Sequence, residues 1–309
     1  MNGIEPKIEI IKPFEEAFEL MKKILFQPFD LKKWFVIGFA AWLSRIGAGF
    51  NFNYNYNRKT KLQDIPLFQN LADAIHGLPL WLVVVGASTL AILIIALVVV
   101  LAWLRARGRF MFIDCMVRNR GAIEEPWREF RKEGNSYFFF SLLVGCGFIV
   151  VIVLLSLLMV APAAALHFRD VYVFVIIALF VFAVLAIAFA WVLVAHIMIV
   201  VMYRRRCGVV EAFRAATSLI TNYPGEITLY CLFWIALGIG AAIAACVVLC
   251  ATCCIAALPY IGTVILLPVC VCLRAFSLLF LRQFGPDYDV WAALPQPESP
   301  PILPPPLPT

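Results

Sequence analysis

Charged residues are scarce in this sequence, and their scarcity excludes a soluble domain. They account for 14% of the 309 residues, whereas ordinary soluble domains carry roughly 25%. Hydrophobic residues account for 63%. A soluble chain of this length has no core large enough to hide so much apolar surface. We therefore expect lipid to be the solvent for much of the chain.

Recognisable catalytic motifs are also missing. The sequence contains no phosphate-binding glycine loop, no HExxH pair and no nucleophile elbow. The segments between the apolar runs are too short to hold an active site outside the membrane. We expect a non-enzymatic protein that needs no cofactor. An enzyme would have to work inside the helix bundle, where Asp114 is the one acidic residue on offer.

The beginning of the chain lacks the apolar segment of a cleavable signal peptide. Residues 1–13 form a short polar leader, and no apolar run starts before about residue 34. We expect the first membrane span itself to act as the insertion signal.

Ten cysteines are present, but their placement argues against a disulfide framework. Most lie inside apolar runs. Cys246, Cys250 and Cys254 share one face if their helix continues that far, so a metal site is geometrically conceivable. We favour a packing role beside the small residues of the same span and predict no bound metal.

Long apolar runs predict an all-α integral membrane bundle of six transmembrane helices. A span needs about 20 apolar residues to cross the hydrocarbon core, and the first run is short by this measure. The second run continues in a helical pattern past Gly108 towards Arg118, and Pro268 lies inside the sixth. The predicted spans are about 34–49, 80–104, 137–161, 171–203, 227–251 and 261–281.

An amphipathic segment precedes each odd-numbered span, which predicts a helix on the membrane surface. The clearest is Ala122–Asn135, AIEEPWREFRKEGN, in which Ile123, Trp127 and Phe130 recur at helical spacing and Gly134 ends the helix. Upstream, Phe14, Phe18, Met21 and Leu25 form a similar apolar face. We expect one aromatic residue in each helix to anchor it at the headgroups; these anchors are Phe18, Trp127 and Phe213.

The surface helices share a pattern that predicts an internal repeat. Each contains an apolar residue, a Glu two positions later and an aromatic two positions after that. The returning spans also match, because Arg118, Arg205 and Arg282 each precede a glycine by three residues. The membrane domain 14–285 then consists of three units, at about 14–121, 122–208 and 209–285. The three helices are either plain connectors or a shared binding surface.

The distribution of Lys and Arg predicts the orientation of the bundle. Most of them lie on the face that carries both termini, so we place both termini in the cytoplasm and the protein in the cell (inner) membrane. The net charge is +6. Because the basic residues lie beside apolar spans, we expect them to meet anionic lipid headgroups, not nucleic acid.

Four ionisable residues at or near membrane depth are candidates for a basic pocket. Arg109, His196 and Arg274 occupy similar places in the three returning spans, and Asp114 could pair with one of them. If they converge, they suit a phosphate or a lipid headgroup. The alternative is that the arginines reach separately to the interface and that His196 makes a buried hydrogen bond.

Proline dominates the end of the chain, residues 286–309. From Leu294 onwards this density predicts a disordered cytoplasmic tail or polyproline II structure. The alternative is a docking peptide for a proline-binding protein partner.

The repeated layout and the motifs EEPWREFRKEGN and LRQFGPDYDVW resemble those of uncharacterised polytopic proteins of prokaryotic membranes. They are more distantly similar to the membrane domain of some glycerophosphodiester phosphodiesterases. This resemblance implies a helical membrane bundle over about residues 14–285. It implies no phosphodiesterase activity, because the sequence contains no catalytic domain of that kind.

The functional expectation is a non-enzymatic accessory, scaffold or lipid-interacting membrane protein. The alternative is a transporter or exporter of a small anionic or lipid-like solute, which would use Arg109, His196 and Arg274. These two functions differ in whether the basic side chains face inward together.

Overall fold

The structure, a computed structural model, describes residues 8–46, 79–165, 170–252 and 258–293. Within these ranges every regular element is a helix. The helices are α1 Ile11–Leu25, α2 Leu31–Arg45, α3 Leu80–Val117, α4 Glu124–Glu129, α5 Arg131–Ala165, α6 Asp170–Arg205, α7 Val209–Asn222, α8 Pro224–Ala251, α9 Pro259–Ile265 and α10 Leu267–Arg282, followed by a 3-10 turn at Trp291–Ala293. Most of the predicted leader, the segment 47–78 and the tail from Leu294 lie outside the described residues.

Four of these helices are long and apolar enough to cross a membrane, which makes this a membrane protein. They are α3, α8 and the parts of α5 and α6 at Arg131–Leu157 and Ile177–Arg205. The 38 residues of α3 measure about 57 Å, well beyond a hydrocarbon core of about 30 Å. The predicted continuation of this helix towards Arg118 is confirmed.

The first and sixth predicted spans take a different form in the structure. Helix α2 has 15 residues and α10 has 16, both short of the roughly 20 that a span needs. The predicted sixth span breaks at Leu266, and Pro268 lies in the first turn of α10. Proline fits there because a first-turn residue needs no helical N–H bond, whereas inside a helix it would clash with the preceding turn.

The apolar surfaces of the long helices are largely exposed away from their basic ends. Leu93, Phe182 and Leu143 are more than 60% exposed. In water such surfaces would be unstable, so they require lipid around them.

The buried core lies where the basic ends of α3, α6 and α10 meet. We call this region the basic end; its helical segments are Ala106–Val117, Ala195–Tyr203 and Ala275–Leu281. Phe110, Met198 and Phe276 are fully buried there. The core therefore holds together the part of the molecule that also carries the ionisable residues.

The surface-helix prediction for Ala122–Asn135 is wrong in its extent. Helix α4 ends at Glu129, the chain bends at Phe130 (φ −96°, ψ 25°), and Gly134 lies inside α5. Phe130 is buried and stacks on Tyr203 with ring centroids 4.8 Å apart. A Cβ at Gly134 would lie 3.0 Å from the side chain of Arg107, so this glycine permits close packing and does not end a helix.

Helix α1 packs on α10 through a protein-facing surface. Ala17, Met21 and Ile24 are buried in this contact, while Phe18 is 45% exposed. Within the predicted apolar face, Met21 therefore packs against protein, whereas Phe18 is exposed.

Helices α2 and α3 approach each other closely at Gly108. A Cβ at this position would lie 2.8 Å from backbone atoms of Leu43 and Ser44. Small residues at such crossings allow membrane helices to pack backbone against backbone. This contact fixes the position of α3, and with it the side chain that follows at Arg109.

Candidate anion-binding site

The three predicted basic residues converge at the basic end. Arg109 is supplied by α3, His196 by α6 and Arg274 by α10, and all three are half-buried. Nη1 of Arg274 donates a hydrogen bond to Nε2 of His196. Arginine has no acceptor, so this nitrogen of His196 is the acceptor.

Arg109 completes the cluster from the third helix. It lies close enough to interact electrostatically with both His196 and Arg274. Its Nη1 donates a hydrogen bond to the hydroxyl of Tyr137 on α5. We call Arg109, His196 and Arg274 the basic cluster.

No carboxylate pairs with the basic cluster among the described residues. Every ion pair among the described residues joins side chains outside the basic cluster. The polar groups around the cluster are the tyrosines Tyr137 and Tyr230, and the Tyr230 hydroxyl donates to Oγ of Ser277 at 2.9 Å. Basic groups gathered in an apolar bundle without a counterion are costly, and a bound anion would offset that cost.

A pocket reaches the cluster between α6 and α8. His196 forms part of its lining, together with the side chains Phe189, Val192, Leu193, Tyr230, Cys231 and Trp234. Its volume is about 20 Å³, room for roughly one water molecule. Apart from Tyr230 and His196, the side chains that line it are apolar.

Asp114, the fourth predicted site residue, lies in a different arrangement. It is fully buried and accepts a hydrogen bond from the hydroxyl of Tyr203 at 3.1 Å. Its carboxylate pairs with Nε of Arg118 at 3.1 Å and Nη2 of Arg120 at 3.3 Å. The structure thus brings together three of the four candidates and gives Asp114 a pairing role.

An ion-pair network extends from Asp114 to α4 and α5. Arg118 also pairs with Glu129 at 2.8 Å, and Arg206 pairs with the same carboxylate. Burial alone would lower the pKa of Arg118, but the carboxylates of Asp114 and Glu129 outweigh this effect and raise that pKa. The network links the C-terminal ends of α3 and α6 to the short helix between them.

Sequence reasoning did not identify Tyr137, Tyr203 or Arg206 as part of these sites. Tyr203 stands directly before the basic run of α6, and Tyr137 begins the third predicted span. Both positions are typical of interfacial tyrosines, so the sequence signal does not distinguish them from lipid-facing aromatics.

The predicted membrane anchors differ in their surroundings. Trp127 packs edge-on against Trp103 at 5.7 Å, and the guanidinium of Arg107 lies 4.9 Å from its ring. Phe213 lies 5.7 Å from the ring of Phe140. Trp127 and Phe213 therefore contact protein and Phe18 is exposed; anchoring stays a prediction for all three.

Cysteine side chains form no metal-binding arrangement in the part of the chain that the structure describes. Cys246 and Cys250 are exposed on α8, and Cys254 lies outside the described residues.

Comparison with known proteins places the chain in one family. No curated protein and no solved structure matches it. The model of DUF7544, a family of unknown function, matches residues 8–285, so the chain belongs to that family.

Proposed function

We propose that this protein is a non-enzymatic integral membrane protein that binds an anionic group, such as a phosphate, at the basic cluster. The observation that carries the proposal is the convergence of Arg109, His196 and Arg274 from three helices without a paired carboxylate among the described residues. Arginine and histidine are the donors suited to phosphate oxygens.

Transport of a small anionic solute is the alternative. The polar side chains in the long helices, away from the basic end, argue against it. A transport path needs polar side chains that face a common cavity. Ser88 and Thr89 on α3 both donate to the carbonyl of Val85 in their own helix, and Ser156 on α5 does the same with Val153. Because these hydroxyls donate to carbonyls of their own helices, they do not line a transport path. This favours a protein that binds its ligand at one end of the bundle.

The finer architecture of the proposal is six spans in three repeated units, with the short α2 as the first span and α9 and α10 together as the sixth. Its support is the order in which the units pack: α4 contacts α3, α7 contacts α6, and α1 contacts α10. Each surface helix thus lies against the returning helix of the unit before it, and the third unit closes onto the first. Such a cyclic order is expected for three related units around a common axis.

Backbone conformation gives separate support to the repeat. Asn119 and Arg206 are the two described non-glycine residues with positive φ, at 50° and 53°. Each directly follows the arginine, Arg118 or Arg205, that the repeat aligns. Left-handed residues commonly end helices, and finding them at equivalent positions favours a shared ancestry of the first two units.

Ion pairs follow the same order in two of the three units. Arg118 lies 3.9 Å from Glu125 of the second unit, and Arg282 lies 3.2 Å from Glu16 of the first. Arg205 pairs at 2.9 Å with Asp287, two residues beyond the end of the third unit, so this junction departs from the pattern.

The proposal keeps both termini in the cytoplasm and the bundle in the cell (inner) membrane, because the basic end then follows the positive-inside rule. Anionic lipids at that face are the proposed partners, and the proline-rich tail is a proposed contact for a protein partner. The comparisons offer no link to glycerophosphodiester phosphodiesterases, so the resemblance contributes only a helical membrane bundle to the proposal.

The direct test is retention of anionic ligands by His196→Ala/Arg274→Ala, measured by native mass spectrometry of the purified protein. Hydrogen bonds to charged groups contribute about 1.5–3 kcal/mol each, so the double variant should lose at least about tenfold in affinity. Arg128→Ala is the control, since that side chain is 79% exposed at the same end of the molecule. Equal retention by wild type and a folded double variant would refute the proposal.

A further inference from the structure

The three units do not pack equally tightly against one another. Between the first and second units, α3 contacts α5, where Nε of Arg107 donates to Oδ1 of Asn135 at 3.2 Å. Between the third and first units, α10 contacts α2, where Nη1 of Arg45 lies 2.8 Å from Sγ of Cys270. The equivalent pair between the second and third units is α6 and α8, and these two helices flank the pocket that reaches His196.

The walls of this seam are exposed towards the surroundings of the bundle. Phe189 is 42% exposed and Val192 is 54% exposed, and both line the pocket together with Leu193 and Trp234. A ligand that enters here meets apolar side chains first and basic groups last. This order matches an amphiphile whose charged end leads into the bundle.

The depth of the basic cluster fits a lipid phosphate. On α6 the apolar side chains are exposed as far as Val192, about one turn before His196. The apolar residues that follow His196, 197–203, are buried against protein. On α3 the apolar run ends at Leu104, about 7.5 Å before Arg109. Both helices therefore place the cluster at the level of the headgroups.

We infer that the seam between α6 and α8 admits an anionic phospholipid sideways from the bilayer, with its phosphate at His196, Arg274 and Arg109 and an acyl chain along Phe189, Val192 and Leu193. This inference rests on the proposed anion-binding function and adds the class of ligand and its route. The phosphate supplies the negative charge that the basic cluster lacks among the described residues. The acyl chain covers the apolar wall that the equivalent seams cover with a neighbouring helix.

The test fills the seam and leaves the basic cluster intact. Leu193→Trp and, from the facing helix, Cys231→Phe enlarge side chains that line the pocket. Leu185→Trp is the matched control, because Leu185 lies on the same helix, is 63% exposed and is outside the pocket lining. Each variant is reconstituted in phosphatidylcholine nanodiscs that contain phosphatidylglycerol, then extracted, and its retained lipid is measured by native mass spectrometry. Binding of inorganic phosphate to the delipidated protein is measured by calorimetry.

We expect wild type and Leu185→Trp to retain phosphatidylglycerol. Both seam variants should retain at least about tenfold less of it, because their larger side chains displace the acyl chain, while they still bind inorganic phosphate. Retention of the lipid by the folded seam variants would overturn the lateral route. A wild type that binds inorganic phosphate but retains no phospholipid would overturn the lipid assignment and leave anion binding standing. If neither probe binds wild type, the proposed function fails together with this inference. Arg274→Lys keeps the positive charge and should retain more lipid than His196→Ala/Arg274→Ala, which separates loss of charge from loss of folding.

Discussion

Replacing Asp114 by Asn should destabilise the protein strongly, because this carboxylate is the buried centre of the ion-pair network. Removing one partner of a buried ion pair costs about 3–5 kcal/mol. Two features reduce that figure here. Arg118 and Arg120 are themselves 30% and 31% exposed and keep their pairs with Glu129 and Glu125. The Asn carbonyl can still accept the Tyr203 hydroxyl, so we expect a loss of about 2–3 kcal/mol.

A control with the same helical spacing separates burial from charge. Glu124 and Arg128 form an i,i+4 pair as Asp114 and Arg118 do, but their side chains are 85% and 79% exposed. Glu124→Gln should therefore cost only about 0.3–0.5 kcal/mol.

Thermal unfolding of the purified protein in detergent, followed by intrinsic fluorescence, measures both changes. At roughly 2–4 °C per kcal/mol, Asp114→Asn should lower the midpoint by about 4–12 °C and Glu124→Gln by no more than about 2 °C. Equal shifts for the two variants would refute the reasoning from burial. A normal midpoint for Asp114→Asn would show that the network contributes no net stability.

Two further predictions concern packing and reactivity. Gly108→Ala should destabilise the fold by about 1–3 kcal/mol because its Cβ would meet the backbone of α2. The control Gly86→Ala lies on the same helix with open space around it, so it should be neutral or stabilise the fold by up to about 1 kcal/mol. Equal melting midpoints for the two variants would contradict the close crossing. Burial, aided by Glu211, raises the pKa of the Cys207 thiol above its usual value near 9, so its thiolate fraction at neutral pH is smaller than that of a free cysteine. A membrane-impermeant maleimide should label Cys207 from the cytoplasmic side, slowly at neutral pH and faster as pH rises past 9, and labelling from the opposite side alone would reverse the proposed orientation.

The membrane class could be predicted from linear spacing, and the same spacing offered the meeting of the basic residues as one of two alternatives. Apolar run length identifies the long helices. Arg109 and His196 occupy matching positions in their runs and Arg274 lies one residue off that register, so the three lie at a similar depth. Helices of similar depth that pack at one end bring such residues together.

The partners of Asp114 and the bend at Phe130 depend on tertiary contacts instead. The i,i+4 spacing of Asp114 and Arg118 was a visible signal for a pair, but it could not reveal that Arg120 and Tyr203 complete the site. A helical pattern alone continues through Phe130. The bend places this ring between Phe110 and Tyr203, on which it stacks. Neither neighbour is close to Phe130 in sequence.

The concentration of the buried core at the basic end has an evolutionary consequence. A side chain such as Leu93 or Phe182 meets mainly lipid, and any apolar residue of similar size serves there equally well. Positions such as Phe110 and Phe276 are enclosed by protein and accept few replacements. Within the family, sequence drift should therefore rise along each long helix with distance from the basic end, and saturation mutagenesis read by membrane expression would display that gradient directly.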